Sequence, residues 1–73
     1  MATDICARLG EKIKQLRRSR GWRQIDLAEH SGISKNHISE LERGQREMGV
    51  LNLQAIAGAL DVKPSDLLQV AGF

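Results

Sequence analysis

Seventy-three residues, 41% of them apolar, suffice for one domain but not two, and that apolar share argues against disorder. The single cysteine, Cys6, excludes an internal disulfide framework and a zinc cluster, and with only Trp22 and Phe73 aromatic, recognition of single strands or RNA by base stacking is disfavoured. The net charge of +2 is unevenly spread: residues 1–46 hold ten Lys or Arg against six Asp or Glu (+4), while 47–73 hold one Lys against three acids (−2), so the front of the chain suits a polyanion.

Asp4 to Arg20 is predicted as the first helix. Ile5, Leu9, Ile13 and Leu16 recur at spacings of four, four and three, giving a narrow apolar stripe, with Thr3 or Asp4 as cap and Gly21 as stop. Its other faces carry Arg8, Lys12, Lys14, Arg17, Arg18 and Arg20, either as solvated surface or as contacts to an anionic partner. Cys6 is expected to be half-buried on this helix. Trp22 is expected in the core, bridging the first two helices. Gln24 opens the second helix, where its side chain and backbone N–H can meet a phosphate, aided by the helix dipole. Arg23, in the N-cap position, is a poor substitute for Ser or Thr.

The second helix ends at Gly32, where the chain must turn sharply. Leu27 and Ala28 can face Ile38 and Leu41, with Ile33 filling the angle; small Ala28 lets two helix backbones cross closely. Ser34 is the N-cap of a third helix, Lys35 to Arg43, stopped by Gly44. Lys35, Asn36, His37 and Glu40 are left pointing outward. Two short helices so joined have the arrangement of a helix-turn-helix used to read DNA.

Residues 45–49 form a loop with Arg46 at its centre. The fourth helix, Val50 to Leu60, has a core-facing stripe of Leu53, Ile56, Ala57 and Leu60, with Leu51 partly outside it. Gly58 within it costs roughly 1 kcal/mol against Ala and points to close approach of another element. After the turn Asp61-Val62-Lys63, Pro64 is suited to N1 of a last short helix containing Leu67 and Leu68. Val70 to Phe73 either frays or joins an interface. With no strand-like alternation and no repeat, the expectation is a single all-α domain over residues 1–73, with five helices and the motif at about 24–43. Neither a targeting segment nor an apolar run of 18 residues is present, so a cytoplasmic protein with no membrane contact is expected.

The segments Gly21-Trp22-Arg23-Gln24, Leu27-Ala28, Gly32-Ile33-Ser34, Ile38-Ser39, Leu41-Glu42-Arg43-Gly44 and Ile56-Ala57-Gly58-Ala59-Leu60-Asp61-Val62 resemble the phage-repressor (Cro/lambda-repressor-like, XRE) helix-turn-helix regulators over about residues 9–69. The run Glu42-Arg43-Gly44-Gln45-Arg46, followed by Leu51-Asn52-Leu53, is similar to the controller proteins of restriction–modification systems. The resemblance implies a five-helix lambda-repressor-like DNA-binding domain. It places Lys35, Asn36 and Glu40 at base-reading positions, which suits their chemistry toward guanine, adenine and cytosine respectively. It implies backbone or flanking contacts from Gln24, Arg43 and Arg46, with Arg46 also able to reach bases, and from Arg17 on the basic first helix. His37 and Ser39 are either further backbone contacts or simply exposed polar residues. Arg17 and Glu42 match a pair that bridges the first and third helices. Gly49 and Lys63 depart from the family's usual helix-capping residues and are expected to weaken two helix starts.

A single module of this size buries only about 600–1,000 Å² on DNA, so a homodimer on a palindromic operator is expected, with recognition helices about 34 Å apart. Its surface is expected within residues 50–73, at Leu51, Leu68, Val70 and Phe73. Val62 and Leu67 are expected to complete the monomer core. The functional expectation is a sequence-specific transcription regulator of double-stranded DNA. The alternative is an antitoxin or adaptor module that chiefly binds a protein partner. His30 and His37 have no partners at catalytic or metal spacing and there is no phosphate loop, so neither an enzyme nor a cofactor or metal is expected.

Overall fold

The computed structural model describes residues 2–70, and their side chains from Ile5 to Gln69. Five helices follow one another: α1 Ala2–Ser19, α2 Gln24–Ser31, α3 Lys35–Glu42, α4 Val50–Ala59 and α5 Pro64–Val70, with no strand among the described residues. The limits fall within about two residues of those read from the sequence. Because α1 begins at Ala2, Thr3 and Asp4 lie inside its first turn rather than ahead of it.

The helices α2 and α3 have eight residues each, too few to persist alone in water, so packing must hold them. The core takes Leu9 and Ile13 from α1, Leu27 and Ala28 from α2, Ile33 from the turn and Ile38 and Leu41 from α3; Ile56, Ala57, Leu60 and Leu67 close it. The apolar angle expected inside the motif is therefore present. Leu53 and Val62 pack partly buried against this core. In α1 the stripe ends differently from expectation. Leu16 is only partly buried, and Arg17, one turn beyond Ile13, takes the inward position.

Two glycines let α1 approach the end of α3 at backbone distance. A Cβ on Gly10 would meet the carbonyl oxygens of Leu41 and Glu42, the latter at 2.7 Å. A Cβ on Gly44, which has φ +71°, would lie 2.8 Å from the Ala7 Cα. The orientation of α3 is thus fixed from behind by bare backbone as well as by its apolar face.

The helix ends show how the chain manages poor caps. Ser34 Oγ accepts the His37 N–H at 3.2 Å, as its N-cap position predicts. Arg23 has no acceptor to offer α2; instead the Asp26 carboxylate accepts the Arg23 backbone N–H at 2.7 Å and two guanidinium contacts at 3.2 Å. Those hydrogen bonds, from the side chain first and the backbone second, hold the Asp26 carboxyl below its ordinary value. Asp66 likewise accepts the Lys63 N–H at 3.0 Å. An Asp in the first turn thus offsets each missing cap and complements the helix dipole. At Gly49 there is no side-chain cap, as expected.

The end of α4 is closed by Asp61 at φ 57°, with the Val62 N–H donating to the Ala57 carbonyl at 3.0 Å and the Asp61 N–H to the Gly58 carbonyl at 3.2 Å. Arg20 adds a donor to the Leu60 carbonyl at 3.1 Å while its guanidinium lies 5.1 Å from the Trp22 ring centre. Trp22 in turn stacks on His30 at 4.3 Å, which makes it the expected bridge between α1 and α2.

Gly58 does not serve a close approach. It is exposed, and a Cβ there would meet nothing within 4 Å. Gly58→Ala should therefore stabilise the domain by about 1 kcal/mol through helix propensity alone, raising Tm by about 4–8 °C. Calorimetry checks this; a lowered Tm would mean that the position is covered in solution.

Candidate nucleic-acid interface

Glu42 closes α3 and faces inward at 6% exposure, and Arg17 meets it from α1 at 7%. Arg17 Nε donates to Glu42 Oε2 at 2.7 Å and Nη2 to Oε1 at 3.1 Å, while Nη1 donates to the Trp22 carbonyl at 2.7 Å. Gln24 Nε2 donates to the same Glu42 Oε1 at 3.1 Å. One carboxylate thus ties the end of α3 to α1 and to the start of α2. All three guanidinium nitrogens of Arg17 are engaged, so burial and saturation assign it to this bridge. The second role expected of it, as a flanking contact to DNA, does not fit that position. Gln24 is half-buried and keeps one side-chain N–H beyond the one given to Glu42.

The eight residues of α3 are unequally buried. Ile38, Leu41 and Glu42 face the core and Asn36 lies opposite them, while Lys35 is exposed as the first residue of the helix. His37, Ser39 and Glu40 are partly exposed; Arg43 just past the helix and Arg46 on the loop are exposed. The residues expected to read bases are all accessible, Lys35 and Asn36 exposed and Glu40 partly so. Glu40 and Arg46 are joined there by an ion pair, Nε to Oε1 at 3.2 Å. The outward groups are donors and acceptors of the kind that complement base edges and phosphates: an ammonium, an amide, a carboxylate and two guanidinium groups.

Away from this face, Val50 and Leu51 open α4 with 80% and 79% exposure. Leu68, expected with Leu51 in a dimer surface, is partly buried and lines an apolar groove with Ile5, Cys6, Leu9, Met48 and Leu53. Phe73 lies outside the described residues, as does the side chain of Val70. Among the described residues no group of three or more His, Cys, Asp or Glu could hold a metal ion, and no helix is long and apolar enough to cross a membrane.

A short α2, a left-handed glycine turn at Gly32 and an α3 with a polar outer face, braced by α1 and α4, define a helix-turn-helix domain. The chain belongs to the helix-turn-helix family HTH_3, whose model matches residues 13–67, and it is of the XRE, Cro/lambda-repressor-like type. It is 36% identical to the control protein C.BamHI of Bacillus amyloliquefaciens over 69 residues, 93% of this chain and 85% of that one. The restriction–modification controller protein C.AhdI of Aeromonas hydrophila superposes with a TM-score of 0.83 at 34% identity, covering 85% of this chain and 94% of the other. The biofilm master regulator SinR, solved in complex with DNA, gives a TM-score of 0.79 at 33% identity, with coverages of 82% and 97%. The chain spans only 42% of the Bacillus phage phi105 immunity repressor and 55% of full-length Bacillus subtilis SinR. These relatives are regulators rather than enzymes.

Two functional details escape a sequence reading. The Glu40–Arg46 pair joins a helix to a loop six residues on, and nothing in periodicity marks it. Arg20 reads as a free basic residue, yet it caps α4 across the domain. Arg17 continues the spacing of four set by Ile5, Leu9 and Ile13, but a charged residue there does not by itself announce a buried pair.

Proposed function

We propose that this chain is a sequence-specific, double-stranded DNA-binding transcriptional regulator that works in the cytoplasm as a homodimer on a palindromic operator. The observation that carries this is the partition of α3. Its inner face is held by the core and by Glu42, so that Lys35 and Asn36 stand exposed at its N-terminal end with Glu40 one turn past Asn36. In this reading α3 enters the major groove; Lys35 and Asn36 read bases and Glu40 belongs to the same surface. Gln24, Arg43 and Arg46 contact the DNA backbone, with His37 and Ser39 at the groove edge. Phosphate contacts supply salt-dependent affinity, and α3 supplies discrimination. The relatives' roles as control proteins and transcriptional regulators, and the SinR complex with DNA, support this reading.

The dimer is supported by Val50 and Leu51, two adjacent aliphatic side chains exposed at the start of α4. Two copies related by a two-fold axis set two copies of α3 about one helical turn of DNA apart.

Selection of bound sequences from a random duplex pool tests both halves of the proposal. Two inverted half-sites with centres about 10 base pairs apart are expected. Recovery of no common sequence would remove the regulator reading, and a single unrepeated half-site would remove the dimer. On the selected site, Asn36→Ala should lose about 1–3 kcal/mol of binding and relax the preference at one base pair, measured by titration at fixed salt. Equal binding of all sequences by wild type and variant would place another surface in the groove.

A further inference from the structure

The Glu40–Arg46 pair assigns the two residues unequal roles on DNA. Glu40 sits on the outward face of α3, one turn past Asn36, and Arg46 lies on the loop after Gly44. Their charged groups are 3.2 Å apart, with the side chains 39% and 53% exposed in that order. A pair this open to water contributes almost nothing to folding, so stability gives no reason for it. The backbone nevertheless builds it. Gly44 turns the chain in the left-handed conformation, and the Gln45 N–H donates to the Glu40 carbonyl at 3.0 Å. Glu40 therefore anchors Gln45 by its main chain and the next residue, Arg46, by its carboxylate.

A lone carboxylate on this face would meet the repulsion of the surrounding phosphates, whereas one already paired with a guanidinium brings no net charge. Arg46 approaches Glu40 through Nε, and among the described residues no hydrogen bond engages its two terminal nitrogens. Those nitrogens form the planar fork that matches the O6 and N7 acceptors of guanine. A long arginine on a loop must otherwise give up its rotamer freedom on binding, and a partner that holds it beforehand removes part of that cost.

We propose that Glu40 is a positioning residue that reads no base itself and holds Arg46 so that the guanidinium of Arg46 reads the base edge. This rests on the DNA-binding function proposed above. It shifts discrimination at one base pair from the end of α3 to the loop behind it.

The test is a double-mutant cycle in DNA affinity on the selected operator, at one salt concentration, with wild type, Glu40→Ala, Arg46→Ala and the double variant. Glu40→Ala should weaken binding about two- to fivefold when Arg46 is present and not at all when it is absent. Both single variants should relax preference at the same base pair, while all four proteins keep the same melting temperature. Equal weakening by Glu40→Ala in both backgrounds, or relaxation at two different base pairs, would show that Glu40 reads a base on its own and overturn the proposal. Tighter binding by Glu40→Ala in the presence of Arg46 would also overturn it, leaving the carboxylate as a source of repulsion only. A wild type that selects no DNA sequence removes the functional reading itself, whereas a selective wild type with an uncoupled cycle removes only the role of Glu40.

Discussion

Glu42→Gln is expected to cost about 3 kcal/mol of stability, although it changes a single atom of the side chain. The carboxylate accepts two hydrogen bonds from Arg17 and one from Gln24, and both charged residues are more than nine-tenths buried. A neutral amide has one acceptor oxygen and presents N–H groups to a guanidinium that is itself all donor. Arg17 is then left with an uncompensated buried charge, with the Trp22 carbonyl and at most one amide oxygen still accepting from it. The penalty is that of the stranded charge rather than the worth of the pair. Replacing both residues by apolar groups of similar volume, Arg17→Met with Glu42→Leu, should cost far less than either single change. For a domain of this size 3 kcal/mol corresponds to a fall in Tm of roughly 12–24 °C. Thermal melts of the single and double variants decide the matter. A Glu42→Gln melt equal to that of the wild type would falsify the bridge as a structural element.

The same bridge shows what a sequence can and cannot convey. The helices and most of the core were legible, because a 3.6-residue period and strong stop signals such as Gly21, Gly32 and Gly44 record local choices. Arg17 was ambiguous because a charged residue on an apolar stripe is either an error in the stripe or a member of a buried pair, and its partner lies 25 residues away. Capping by Asp26 and Asp66 carries a local signal in retrospect, a basic residue followed three positions later by Asp. Gly58, inside a helix, predicts close packing and is open; Gly10, equally inside a helix, is the crowded one. A glycine inside a helix looks the same in both cases, since the element that covers it comes from elsewhere in the chain.

The placement of the candidate reading face follows from these hidden contacts as much as from the motif. The inner side of α3 is held by Ile38 and Leu41 in the core, by Glu42 on Arg17 and by its own final carbonyls against Gly10. Three restraints of different chemistry fix the rotation and height of one two-turn helix. Lys35 and Asn36 can therefore be presented at set positions even though α3 is too short to be stable alone.

Gly10→Ala tests the least visible of those restraints and should destabilise the domain by about 2–3 kcal/mol. Two effects oppose each other. Alanine improves the helix propensity of α1 by about 1 kcal/mol, which would favour the variant if the position were open. The new methyl, however, meets the Leu41 and Glu42 carbonyl oxygens and the Glu42 carbonyl carbon, the last two at 2.7 and 2.9 Å. These are backbone atoms with no rotamer to escape through, so α1 must move away from α3 and loosen the Arg17–Glu42 bridge with it. Gly32→Ala provides the control. Its φ of +77° makes alanine unfavourable, but a Cβ there meets nothing within 4 Å, so its cost of about 1–2 kcal/mol is conformational and local. The two variants differ in what else they disturb. Gly10→Ala and Glu42→Gln should be non-additive in a double-mutant cycle, because both act at the α1–α3 contact, while Gly32→Ala and Glu42→Gln should add. A Gly10→Ala protein more stable than wild type would mean that α1 and α3 stand further apart in solution, and the backbone restraint on the reading helix would have to be abandoned.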